Sequence, residues 1–359
     1  MKKYILKRLA LIPLTLFGIM LINFLFIQLA PGGPIEQMML KMEGGAVSAT
    51  ARISGAAAAD KGTALNSKYQ GAQGVRDELK KQLEHEFGFD KPLYERFFLM
   101  MKKYAVFDFG KSFYQDKKVI DLIKEKMPVS ISLGVFSTLL IYLISIPLGI
   151  RKALKNGSKF DLWTSWAIVI GYAIPSFLFA VFLIVVFAGG RYLNWFPLRG
   201  LVSDNWDKLS SVGKITDYLW HIALPVTALV IGGFASLTML TKNSFLDEMN
   251  KNYCITARAK GLTDSEVLYR HVFRNAMLIV VAGFPAVLVG MLFTGSVLIE
   301  VIFSLDGLGL LGFESVMNRD YPVIFGTLYM FALLGLVLNL ISDLTYRLID
   351  PRIDFERRQ

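Results

Sequence analysis

The 359-residue sequence is 54% hydrophobic and 19% charged, and 39 Lys and Arg against 29 Asp and Glu leave a formal charge of +10. A soluble chain of this size would carry more charge and spread it more evenly. Here charge-free runs alternate with short basic stretches, which excludes an ordinary soluble protein and makes the positive balance a topology signal rather than a nucleic-acid footprint. The single cysteine, Cys254, excludes a disulfide framework and a thiolate metal cluster.

Runs without Asp, Glu, Lys or Arg cover 9–35, 127–150, 162–190, 218–241, 275–299 and 321–342. Each exceeds the roughly 20 helical residues that cross about 30 Å of hydrocarbon. In lipid every backbone donor and acceptor must be paired within the segment, so the runs predict six transmembrane helices and an all-α integral membrane protein. The first follows Lys2, Lys3, Lys7 and Arg8 like a signal peptide, but its apolar run is too long and it lacks a small residue at the −3 position of a cleavage site. It reads as an uncleaved span.

Lys and Arg cluster at alternate ends of the spans: Lys2 to Arg8, then Arg151, Lys152, Lys155 and Lys159, then Lys242 to Arg274, then Arg347 to Arg358. The positive-inside rule places these clusters and both termini in the cytoplasm. The layout is a cytoplasmic N-terminus and first helix at 1–30, an extracytoplasmic insertion at 31–126, helices 2 to 6 at 127–346, and a cytoplasmic tail at 347–359.

Within the insertion, 44–74 is rich in Ala, Gly and Ser without apolar period and reads as mobile. Segments 75–87 and 93–107 show helical periodicity, with Phe87, Leu93, Phe97, Phe98 and Met101 as expected buried positions. Pro13, Pro147, Pro175, Pro225 and Pro285 fall in spans as kinks or hinges, which sequence does not separate. Ala228, Gly232 and Ser236 form a small-residue face suited to close helix contact.

The connection 242–274 predicts two short helices. The first, 245–260, ends on Gly261, and the second opens with Thr263 and Glu266 as a capping box. As a DNA-reading helix–turn–helix it would be misplaced against a membrane.

No G-x-x-x-x-G-K-[ST] loop occurs. The G-x-G-x-x-G at 307–312 follows a span rather than a strand, so it does not read as a dinucleotide site. His85, His221 and His271 are scattered and offer no metal-ligand spacing, and no catalytic or metal-binding set is expected. Glu300 and Asp343 sit at span edges; Glu300 is expected to face outside water and Asp343 to pair with Arg347. With no energy-transducing site of its own, such a chain is expected to receive conformational work from a soluble partner.

The run YCITARAKGL at 253–262, followed by RHVFRNA at 270–276, resembles the cytoplasmic loop of ABC importer permeases, specifically the dipeptide/oligopeptide branch. The general E-A-A-x-x-x-G pattern is degenerate: Ile255 and Thr256 replace Glu and the first Ala, while Ala257 and Gly261 match. Further resemblance lies at 8–34, FGFDKP at 87–92, DFGKSF at 108–113, PVSISLG at 128–134, NRDYP at 318–322 and DPR at 350–352. The long insertion and DPRIDFE at 350–356 resemble the microcin C/oligopeptide type within that branch.

The resemblance implies a type I ABC importer permease fold in the bacterial inner membrane, acting by alternating access. It implies a second homologous permease, two cytoplasmic ATP-binding subunits carrying ATP and Mg, and an extracytoplasmic peptide-binding protein. It assigns the ATPase-coupling role to Tyr253, Thr256, Ala257, Arg258, Ala259, Lys260 and Gly261. Thr256, Ala257 and Ala259 are small enough for close docking, Arg258 and Lys260 offer charge-assisted contacts, and Gly261 permits the turn. No residue is singled out for substrate, and this chain binds no cofactor of its own in that reading.

Overall fold

The computed structural model describes residues 2–29, 91–190, 192–293 and 297–349. Among them it has twelve α-helices, a π-helical turn, a short 3-10 turn and one isolated bridge between Lys111 and Lys118. The expectations for 44–74, 75–87 and the 350–359 tail lie outside the described residues.

Among the described residues, five helices are long and apolar enough to cross a membrane. They are α1 (Lys2–Leu29), α3 (Val119–Leu154), α6 (Ser211–Met249), the helix that starts at Asp264 and continues as α9 (Phe273–Phe293), and α12 (Tyr321–Ile349). The remaining charge-free run, 162–190, is not a single rod. It forms α4 (Lys159–Ala173) and α5 (Ser176–Phe187), bent by 94°. Pro175 lacks an amide hydrogen and its ring drives the preceding residue out of helical geometry, and Ile174 is extended at φ −84°, ψ 118°. Pro13, Pro147, Pro225 and Pro285 instead lie inside continuous helices. Of the five expected kinks or hinges, only Pro175 breaks its helix.

The chain packs as two compact units, Met127–Gly309 with Gly335–Gln359, and Lys2–Lys126 with Leu310–Leu334. In the second unit, α2 (Leu93–Tyr104) lies on α1. Phe97 packs edge-on to Phe17 at 5.4 Å between centroids and against Phe24 at 5.3 Å. Tyr104, two turns on, joins Phe109 and Tyr329 at 4.9 and 5.6 Å. The buried stripe is therefore Phe97 and Tyr104, whereas Leu93 and Phe98, expected inside, are exposed. Phe98 is one residue, about 100° of helix, from that stripe.

The NRDYP and DFGKSF motifs meet in this unit. Asp320 accepts hydrogen bonds from Ser112 Oγ at 2.5 Å and from the Phe113 amide at 3.1 Å. Burial and the Asp320 charge push the Tyr114 phenol up to about 12.

In the first unit, Leu133 of α3, Leu183 of α5 and Ile222 and Leu224 of α6 form a core with Ile299 of α10 (Val297–Ile302). Of the small-residue face, Ala228 is buried, Ser236 is exposed and the Gly232 position opens on space. Glu300 does not face water as expected: it is fully buried. Gly307 makes the room, since a Cβ there would stand 2.5 Å from the Glu300 Cδ. The G-x-G-x-x-G thus starts a helix, α11 (Leu308–Asn318), whose first amide donates to Ser130 Oγ of α3 at 2.8 Å. The Arg347 side chain expected to pair with Asp343 lies outside the described residues.

Candidate functional site

The 242–274 connection is built by three local signals. α6 runs on to Met249, and an extended Lys251 (φ −74°, ψ 149°) separates it from α7 (Asn252–Ala259). The single helix expected over 245–260 is therefore two. Gly261 takes φ +89°, a conformation that costs glycine little, and its amide donates to the Arg258 carbonyl at 2.9 Å. The expected capping box is present: Thr263 Oγ1 accepts from the Glu266 amide and Glu266 Oε2 accepts from the Thr263 amide. It opens α8 (Asp264–Val267), which passes through the π-helical turn Leu268–Val272 straight into α9. The second piece is thus the start of a spanning helix rather than a free-standing one.

α7 has two different faces. Cys254 is fully buried and Ala257 is 8% exposed; both pack with Phe245 of α6, Val267, Leu268, Val272 and Ala276, and with Ala153 at the end of α3. A polar strut adjoins this core. The Tyr253 hydroxyl donates to Glu248 Oε1 at 2.6 Å and accepts from Asn275 Nδ2 at 3.3 Å, while Lys251 Nζ lies 2.5 Å from Glu248 Oε2. Burial raises the Tyr253 phenol pKa, and its bond to the Glu248 carboxylate raises it further, so it stays a donor through the neutral range. The strut joins the two halves of the family-like motif, YCITARAKGL and RHVFRNA.

The other face presents Ile255, 57% exposed, with Thr256, Arg258, Ala259, Lys260 and Gly261. Arg258 is held by its own chain, with Nε 2.9 Å from Asp264 Oδ1. Of the seven residues singled out from sequence, five are exposed together, while Tyr253 and Ala257 turn inward and hold the helix in place. Sequence reading missed Glu248 and Asn275. Their signal was spacing: Glu248 and Tyr253 bracket the helix break, and Asn275 falls in the second motif. It also passed over Ile255 as a mere departure from the family pattern, although it is the large apolar group on the open face.

The family described as "Binding-protein-dependent transport system inner membrane component" matches residues 145–355, which take in the whole 242–274 connection. The chain belongs to this family. Its relatives agree along the full length. It is 57% identical over 364 residues to the inner membrane ABC transporter permease protein YejB of Escherichia coli O157:H7, covering 100% of both chains. It is 59% identical over 362 residues to the peptidoglycan transport system permease protein YejB of Agrobacterium fabrum, again covering 100% of both. The oligopeptide transport system permease protein AppB of Bacillus subtilis is 33% identical over 356 residues, 99% of this chain and 100% of that one. The protein is a multi-pass permease subunit, a transport component rather than an enzyme.

Proposed function

We propose that this permease is one half of a peptide path through the inner membrane, with both termini and the 242–274 connection in the cytoplasm. A second homologous permease completes the path. Two ATP-binding subunits, carrying ATP and Mg, drive alternating access, and an extracytoplasmic peptide-binding protein delivers the cargo. The names of the relatives support peptides as the cargo class. The relative named for peptidoglycan transport extends that class to peptides carrying a wall-derived sugar. Competition between a linear oligopeptide and a muropeptide for uptake separates the two.

The observation that carries the coupling role is the two-faced α7. Its inner face is fixed by the Cys254 and Ala257 core and the Tyr253 strut, while Ile255, Thr256 and Ala259 stand open beside Arg258 and Lys260. A rigid helix with a small, apolar outer face and a basic rim fits a groove on an ATPase subunit. Ala257→Asp would bury a charge in the chain's own core, so it does not test docking. Ile255→Asp does. In proteoliposomes holding the complete importer, Ile255→Asp is expected to lower ATP-driven uptake by about tenfold or more with membrane insertion unchanged. Uptake near the wild-type rate refutes docking through this face.

A further inference from the structure

Lys152 and Lys242 carry more than a topology signal. Lys152, in the last turn of α3, is fully buried. Its ammonium donates to Thr164 Oγ1 and Ser165 Oγ at 2.8 Å and to the Asp161 carbonyl at 2.9 Å, and it lies 2.9 Å from Asp161 Oδ1. Lys242 of α6 donates to both Asp161 carboxylate oxygens, at 2.8 and 2.7 Å. The Gly157 amide, in the α3–α4 turn, donates to Oδ2 at 3.2 Å. One carboxylate therefore ties together the last turn of α3, the first turn of α4 and a site on α6 about two turns before its end.

A second observation connects this cluster to α7. One turn before Lys152, Gly149 lies so close to α6 that a Cβ would stand 2.6 Å from Thr241 Cβ and 2.8 Å from the Thr238 carbonyl oxygen. One residue after Lys152, Ala153 belongs to the core that includes Cys254 and Ala257. The end of α3 is thus held on α6 before the ionic cluster, at it and after it, and the last contact is the inner face of α7. A buried ion pair adds little net stability over apolar packing of the same volume, because desolvation offsets the attraction. Charge-assisted bonds supply fixed direction, which apolar contacts lack.

We propose that Lys152, Asp161 and Lys242 are positioning residues of the transport cycle. They lock the ends of the second, third and fourth spans to α7, so that a displacement of α7 reaches all three as one block. The inference rests on the docking role proposed for α7. With the lock open, α7 moves without carrying α3 and α4, and ATP is hydrolysed without a matching movement of the path.

The test compares Lys242→Met, Lys242→Gln and Lys242→Arg in the complete importer in proteoliposomes, with peptide uptake and ATP hydrolysis read on one sample. Lys242→Met is expected to lower uptake per ATP by about tenfold while hydrolysis stays within about twofold, and Lys242→Gln to fall between. Lys242→Arg is expected to restore the ratio, because a guanidinium can fork onto both Asp161 oxygens. A parallel loss of uptake and hydrolysis, or an arginine no better than methionine, overturns the proposal and leaves the cluster a plain structural contact. Ile255→Asp keeps the two claims apart. If it abolishes uptake while Lys242→Met keeps the wild-type ratio, docking stands and the lock is wrong; if it transports normally, the docking reading fails on its own evidence.

Discussion

The long helix α3 is anchored at its two ends by different chemistry. Its first residue, Val119, is buried under Phe109 and Gly326, close to the ring group of Tyr104, Phe109 and Tyr329. Its last turn is held by Lys152 and Lys242, each within hydrogen-bond distance of Asp161, and by a backbone approach at Gly149. Apolar contact is non-directional, so the ring group at the first end sets no bond direction. The second end has one geometry. In the lock proposed above, the second end transmits movement without slipping, while the first has only to stay packed.

Glycine-to-alanine substitutions at the two ends give the largest expected contrast. In Gly149→Ala the new methyl meets a backbone oxygen and a Cβ, so α3 and α6 must part, at a cost of about 1–3 kcal/mol. In Gly326→Ala the nearest atom is the Val119 Cγ1 at 2.7 Å, followed by Phe109 Cβ at 3.2 Å, side-chain atoms rather than a backbone oxygen. Heating the detergent-purified protein and following loss of monodisperse material should show the larger fall for Gly149→Ala. Equal falls would mean that both ends are equally rigid, and the contrast would not hold.

A buried polar tie at the aromatic end gives the next effect. Asp320 accepts from Ser112 and the Phe113 amide, and it is itself buried. Asp320→Asn keeps an acceptor but loses the charge, for about 1–2 kcal/mol. Limited proteolysis should then cut faster within 105–118, and uptake per ATP should stay unchanged. A fall in that ratio would show that the aromatic end also transmits movement.

Much of this was legible in the sequence, for stated reasons. Charge-free runs located the spans because lipid tolerates few alternatives, and Gly261 and the Thr263–Glu266 box marked the loop because their signals are local. What escaped was set by long-range contacts. The break at Pro175 looked like the four prolines that do not break their helices. Lys152 and Lys242 looked like topology charges because their shared acid, Asp161, lies 9 residues from one and 81 from the other. Glu300 looked solvated because nothing local shows that Gly307 folds against it. That Ala257 faces inward and Ile255 outward escaped because a motif names positions, while the side they face depends on where α7 is seated.

The smallest expected effect tests whether the 242–274 loop is as rigid as the ionic end it adjoins. Thr263→Ala removes the side-chain cap of α8, worth about 1 kcal/mol, and leaves the Glu266 amide without that acceptor. Cys254, the single thiol of the chain, is fully buried on the inner face of α7, in one core with Val267, so its alkylation rate reports local opening. The rate should rise about fivefold in Thr263→Ala if opening follows cap stability. Thr263→Ser, which keeps the acceptor, should label like wild type, and so should Gly326→Ala at the aromatic end. If Thr263→Ala leaves the thiol protected, the loop takes its rigidity from the Tyr253–Glu248 strut rather than from the cap, and Tyr253→Phe becomes the substitution that exposes Cys254.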